Sequence, residues 1–96
     1  MALSDLRREM VVAAIEECDS LGREIFLEKY GYHPARGYFL IYGNRRYDSK
    51  AIAGVAHRGV TGRPLKPSEF SGGNATVARV LSQLGFSVTT PESSRA

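Results

Sequence analysis

The sequence predicts an α+β domain with elements in the order α-α-β-β-α-α-β, a small antiparallel sheet packed on helices. Three observations carry that expectation. Apolar residues recur at helical spacing near the N-terminus, after residue 48 and again between residues 72 and 84. Two strand-like runs flank Gly43-Asn44, a pair suited to a two-residue hairpin turn because the favoured turns need positive φ. A last short run, Phe86-Ser87-Val88, supplies a third strand.

Ser4 is the expected N-cap of a first helix that runs to Leu21 and stops at Gly22. Leu6, Met10, Val11, Ala14, Ile15, Cys18 and Leu21 cover one broad half of it. Arg8, Glu9, Glu16, Asp19 and Ser20 cover the rest, an acidic outer face that DNA would repel. Gly22 to Tyr30 reads as a second, short helix closed by Gly31, with Ile25, Phe26 and Tyr30 packing it onto the first. Tyr32-His33-Pro34 is a loop, since the residue before a proline avoids helical geometry, and His33 is expected to be exposed.

Across a two-residue turn, Tyr42 faces Arg45, Ile41 faces Arg46, Leu40 faces Tyr47 and Phe39 faces Asp48. Alternation then puts Tyr38, Leu40, Tyr42, Arg45 and Tyr47 on one face, the expected reading face. Phe39 and Ile41, with Arg46 near the turn, form the other, the expected core face. The helix that follows is entered through Asp48 or Ser49. Ile52, Val55 and Ala56 should be buried, while Lys50, Ala53, Gly54 and His57 fall on the opposite side with Arg58 flanking. Small residues between a Lys and a His would let another molecule come close.

Residues 59–67 form a loop punctuated by glycine and proline and carrying Arg63 and Lys66. The last helix, roughly 72 to 84, buries Val77, Val80, Leu81 and Leu84, points Thr76, Arg79 and Gln83 outward, and ends at Gly85. Residues 1–88 are expected to be one domain, and residues 89–96 have the composition of a flexible tail or linker.

The 96 residues suit one modest core, and a net charge of +3 would not by itself argue for nucleic acid. Its distribution is more informative. Residues 1–30 hold four basic and seven acidic side chains, whereas residues 31–66 hold seven basic ones against Asp48 alone. Positive charge concentrated on the hairpin, its helix and the next loop suits a surface that meets phosphates. Cys18 is the single cysteine, so no intrachain disulfide forms, and its place on the buried stripe makes it a core residue. With no signal peptide and no apolar run of membrane-spanning length, a cytoplasmic location is expected and no membrane partner.

Two histidines and one cysteine without CxxC or HxxxH spacing argue against a metal site, and nothing suggests a cofactor. A Ser, His57 and Asp48 make a triad only on paper, because no nucleophile elbow accompanies them. Asp48 reads as a helix cap or the partner of a neighbouring arginine. For His57, a donor to DNA and a packed helix residue are both open readings. Tyr38, Tyr42 and Tyr47 read as core walls or as stacking surfaces for a base, with at least one of them expected in the core. Ser71-Gly72-Gly73-Asn74 opens a helix with free amides, which suits either a phosphate or a simple Ser71 cap. It is neither a Walker loop nor a dinucleotide fingerprint.

The run from Arg46 to His57 (RYDSKAIAGVAH), together with Gly62 to Phe86, resembles the N-terminal head domain of McrA-like, HNH-type modification-dependent (type IV) restriction endonucleases, which also occurs in small proteins. Most of residues 20–88 take part, and Tyr-Asp-Ser-Lys-Ala-Ile and Phe-Ser-Gly-Gly are the most specific pieces. Tyr47, Asp48, Ser49, Lys50 and Ala51 match one motif; Phe70, Ser71, Gly72 and Gly73 match the other. The family often carries Glu after Ser-Gly-Gly, where this chain has Asn74, so a carboxylate that would compete with an incoming phosphate is gone. The resemblance implies a domain that binds double-stranded DNA and reads 5-methylcytosine in restriction of foreign methylated DNA. No HNH motif is present, so nuclease activity is not implied.

The expected DNA-binding set follows. Arg45, Arg46, Lys50, Arg58, Arg63 and Lys66 contact phosphates or base edges, and Ser49 lies beside them. Ser71, Gly72, Gly73 and Asn74 hold a further phosphate, and Tyr47 and His57 lie nearest the bases. All are expected to converge on a single exposed groove, without catalysis. The alternative is a protein-interaction or dimerisation module that positions a fused effector. A small enzyme using Asp48, Lys50 and His57 is the third reading.

Overall fold

The computed structural model describes residues 5–35, 37–69 and 73–89, with no side-chain account for 73–75. Helices α1 (Arg8–Leu21) and α2 (Arg23–Tyr30) lead into strands β1 (Phe39–Tyr42) and β2 (Arg45–Asp48). Helix α3 (Ser49–Ala56), a single turn α4 (Arg58–Thr61), a 3-10 turn at Pro67–Glu69, helix α5 (Gly73–Gln83) and strand β3 (Ser87–Thr89) follow. The α+β class and the order of the main elements are those expected. The turn α4 and the 3-10 turn fall where the sequence reads only as loop. No described helix is long and apolar enough to cross a membrane.

Gly22, at φ 89°, ends α1 and opens α2: its N–H bonds to Cys18 O at 2.8 Å, and its carbonyl accepts from Phe26 N at 2.9 Å. The expected cap Ser4 lies outside the described residues, and α1 starts at Arg8 after an extended Arg7. On α2 the buried residues are Phe26 and Leu27, with Tyr30 half-buried and edge-on to Phe26 at 5.4 Å. Ile25, expected to pack, is 58% exposed. With Phe26, Leu27 and Tyr30 facing inward, the next position around an eight-residue helix points to solvent.

Gly43 (φ 58°) and Asn44 (φ 66°) make the hairpin turn, and the register is the expected one: Phe39 opposite Asp48, Leu40 opposite Tyr47, Ile41 opposite Arg46, Tyr42 opposite Arg45. β3 pairs antiparallel with β1, giving the order β2-β1-β3. β3 reaches Thr89, whose hydroxyl accepts from Phe39 N at 3.2 Å and donates to Gly37 O at 3.2 Å, so the sheet extends one residue into the stretch expected as tail.

The two faces of the ribbon are the reverse of expectation. Leu40 and Tyr47 are in the core, while Phe39 and Ile41 are only half-buried and the Arg46 guanidinium lies 4.6 Å above the Phe39 ring. A tyrosine can wall a core when its hydroxyl finds a partner, and Tyr47 donates to Asp19 Oδ1 of α1 at 2.7 Å.

Helix α3 is the hub. It packs on α1, α2, α4, α5 and β2. Ser49 and all of Ala51 to Ala56 are therefore buried, not one face alone, and His57 has no exposed surface. The small residues Ala51, Ala53, Gly54 and Ala56 serve close packing between elements, not the approach of a ligand. Gly54 O accepts from Leu65 N at 2.9 Å and ties down the loop after α4. Val77 and Leu81 of α5 complete the core, with Val80 and Leu84 packed at its margin.

Candidate nucleic-acid interface

The surroundings of Lys50 are set by Asp48, at the junction of β2 and α3. Its carboxylate is almost fully buried and accepts from Arg23 Nε (2.8 Å), Arg23 Nη2 (2.9 Å) and Ala35 N (2.7 Å). Burial pushes its pKa up, but the Arg23 bonds and the Ala35 amide outweigh it and leave it below the ordinary aspartate value. Asp48 thus serves as the partner of an arginine, one of its two open readings, and places no side-chain bond on the start of α3. It also ties the loop before β1 to α2. Ser49 is equally committed: its Oγ donates to Tyr38 O at 3.0 Å.

Between that loop and α3 lies a cleft of about 450 Å³. Tyr38, Pro34 and Pro67 form apolar walls, and His33, Lys50 and the first turn of α3 supply the polar ones. Tyr32, buried beneath, donates to Leu65 O at 2.6 Å and binds this loop to the segment before Pro67. Lys66, exposed, neighbours that wall.

The remaining predicted residues do not all come to this cleft. Arg45 and Arg46 are exposed on the far side of Asp48, at a separate depression of about 200 Å³ lined also by Asp19, Gly22 and Arg23. Arg58 borders a groove of about 260 Å³ beside Glu9 and Met10 of α1. Its guanidinium bonds to Glu17 Oε1 at 2.9 Å and Tyr30 Oη at 3.0 Å. Arg63 is held by Glu69 through two bonds of 3.0 and 2.8 Å. Tyr47 and His57, expected nearest the bases, are buried: Tyr47 because its hydroxyl reaches α1, His57 because α1, α4 and α5 pack around the later turns of α3. Ser71 and Gly72 lie outside the described residues, Gly73 opens α5, and the Asn74 side chain is likewise outside the described part.

The single basic groove expected from residues 31–66 is thus divided. Carboxylates from outside that window, Glu17 and Asp19 on α1 and Glu69 in the 3-10 turn, reach over and pair with Arg58, Arg45 and Arg63. Glu17 shows how firm this is: burial raises its pKa, yet bonds from Tyr30, Lys29 and Arg58 bring it down to about 2. Sequence reasoning missed Arg23, His33 and Pro67 as parts of the site, whereas Tyr38 was among the tyrosines weighed as stacking surfaces. Arg23 is 25 residues from Asp48 and sits in an acidic stretch, so no local pattern connects them.

Among the described residues, no group of three or more His, Cys, Asp or Glu comes together as a metal site. Residues 4–90 match the ScoMcrA-like N-terminal head domain. Among solved structures the chain is similar to the type IV phosphorothioation-dependent restriction endonuclease ScoMcrA, at 36% sequence identity and a TM-score of 0.63. The match covers 90% of this chain but only 13% of that one. Comparison with curated proteins returns no match. The chain belongs to the ScoMcrA-like N-terminal head-domain family.

Proposed function

We propose that this domain binds double-stranded DNA as a non-catalytic element of a modification-dependent restriction system, with the Lys50 cleft as its principal contact. The observation that carries the reading is the composition of that cleft. A lysine and a histidine stand beside a helix start that no side chain caps, facing a tyrosine and two prolines. The dipole of a helix favours an anion at its start, here with the Ser49 amide donating to Tyr38 O at 3.4 Å, and a flat ring offers a surface to sugar or base. Kinship with the head domain of a restriction endonuclease supports the same partner. Lys66, beside Pro67, adds a second cation, and Ser71, Gly72, Gly73 and Asn74 follow a few residues later in the sequence. We read residues 1–88 and Thr89 as the binding unit and the protein as cytoplasmic.

The finer part of the proposal is selectivity. The sequence resemblance favours 5-methylcytosine, whereas ScoMcrA is described as phosphorothioation-dependent. One buried methyl group contributes only about 0.8 kcal/mol, roughly fourfold in affinity, unless a shaped pocket adds to it. The test is fluorescence anisotropy on one duplex in plain, 5-methylcytosine and phosphorothioate forms, each at low and moderate salt. Binding should weaken with salt at a log–log slope of roughly −0.9 per phosphate neutralised. Two to four contacts are expected, because Arg58 and Arg63 are spent on carboxylates. Equal affinity for all three duplexes would leave general DNA binding; a flat salt titration would remove DNA altogether.

One observation favours the interaction-module alternative: Ile25 projects from α2 with 58% of its surface exposed. On that reading Ile25→Asp changes sedimentation or partner capture and leaves DNA affinity alone.

A further inference from the structure

The depression on the far side of Asp48 is not part of the Lys50 cleft, yet the two share that residue as a wall. Its charged lining is three arginines, Arg23, Arg45 and Arg46, against two carboxylates, Asp19 and Asp48. The carboxylates are already occupied to different degrees. Asp48 takes two N–H groups of Arg23, which orients that guanidinium and leaves its remaining N–H groups unspent among the described contacts. Asp19 Oδ1 already accepts the Tyr47 hydroxyl at 2.7 Å and holds Arg45 only at 3.4 Å. Arg45 is the loosest of the paired arginines, with its side chain 70% exposed. Arg46 stands at the rim with its guanidinium over Phe39 and no ion pair among the described residues.

A fixed guanidinium fork beside a loosely held one is an arrangement that accepts an oxyanion at little cost. The fork is prepaid by its own carboxylate, and the loose partner exchanges a long contact for a short, charge-assisted one. We infer that the Arg23–Arg45 depression is a second seat for a nucleic-acid phosphodiester, so that the backbone is held on both sides of Asp48. This deepens the DNA-binding reading and rests on it. Arg23 thereby acquires a role that its place in an acidic helix conceals. The seat is for the backbone and carries no base selectivity, since no aromatic face opens into it: Tyr47, which lines it, is buried with its hydroxyl committed.

The test uses the whole 96-residue chain and one labelled duplex, with affinity measured across a salt series for the wild type, Arg45→Ala, Lys50→Ala and the double variant. Arg45→Gln replaces Arg45→Ala should the latter alter the melting midpoint. Each single variant should reduce the magnitude of the salt slope by about 0.9 and the double variant by about 1.8, the mark of two separate phosphate contacts. An Arg45 variant with the wild-type slope, beside a Lys50 variant with a reduced one, overturns the second seat and leaves the DNA reading standing. A wild type without salt-dependent binding overturns the reading itself.

Discussion

Arg23 and Asp48, the first residue of α2 and the last of β2, form a two-pronged ion pair with bonds of 2.8 and 2.9 Å, in which the carboxylate is 5% exposed and the guanidinium 51%. The same carboxylate accepts the Ala35 amide, so one side chain joins α2, the hairpin and the loop that walls the Lys50 cleft. Replacing Asp48 by Ala strands the half-buried Ala35 amide and unpairs Arg23. Breaking a buried pair costs about 3–5 kcal/mol, and the half-exposed arginine brings the expectation to the lower end of that range. Urea unfolding of Asp48→Ala should show the loss. Arg23→Ala should cost at least as much, because it leaves a buried carboxylate without its counter-charge.

Acid should weaken the fold through Glu17. Its folded pKa, about 2, is below the ordinary glutamate value of 4.5, so ionised Glu17 stabilises the native state. That contribution is fully present above about pH 5 and is lost as pH falls through 4 towards 2. After allowance for partial solvation it is on the order of 2 kcal/mol. Asp48, also lowered, adds to the same acid limb. Melting at pH 7, 5 and 3 should show a decline confined to the lower interval, and Glu17→Gln should flatten it.

Gly59 on α4 lies against α1, and a Cβ built there would sit 2.6 Å from Met10 Cγ. Gly59→Ala should therefore destabilise by about 1 kcal/mol, a methionine being flexible enough to absorb part of the clash. Met10→Ala should cost stability by itself, yet reverse the sign of the Gly59→Ala effect when the two are combined. A strictly additive double variant would show that the two side chains do not meet.

His57 has no exposed surface, and among the described residues neither ring nitrogen has a hydrogen-bond partner. An unpaired buried polar group costs about 1–3 kcal/mol, so His57→Leu, of similar volume, should melt at or above the wild-type temperature. DNA affinity should be unchanged. A drop in affinity with stability intact would restore the sequence-based expectation that this histidine touches a base.

Much of the backbone was legible in the sequence, for reasons that can be named. A two-residue Gly-Asn turn leaves one cross-strand pairing, so the Leu40–Tyr47 and Ile41–Arg46 partners followed from counting alone. Which face of that ribbon meets the core could not be counted. Both faces carry large apolar side chains, and the choice was made by Asp19, 28 residues away, accepting the Tyr47 hydroxyl. The burial of α3 was hidden in the same way: Lys50 at its start suggested an open side, but small residues let α1, α2 and α5 close around the remaining turns. The basic window from residue 31 to 66 misled because charge was summed along the chain, whereas Glu17 and Glu69 neutralise Arg58 and Arg63 across it. The cleft itself is made by a loop, the entry to α3 and Pro67, three segments whose meeting depends on Tyr32 reaching Leu65.

The enclosure of α3 bears on how such a domain acquires new preferences. A segment gripped by helices and a strand tolerates little alteration, since each exchange of side chain must be absorbed by several neighbours at once. In the two stretches that border the cleft, 32–35 and 62–69, His33, Pro34, Lys66 and Ser68 are instead exposed, while Tyr32, Ala35 and Leu65 are held by hydrogen bonds. Engineering of recognition should therefore begin by varying those two margins, with the central rod kept as the fixed frame on which they are mounted.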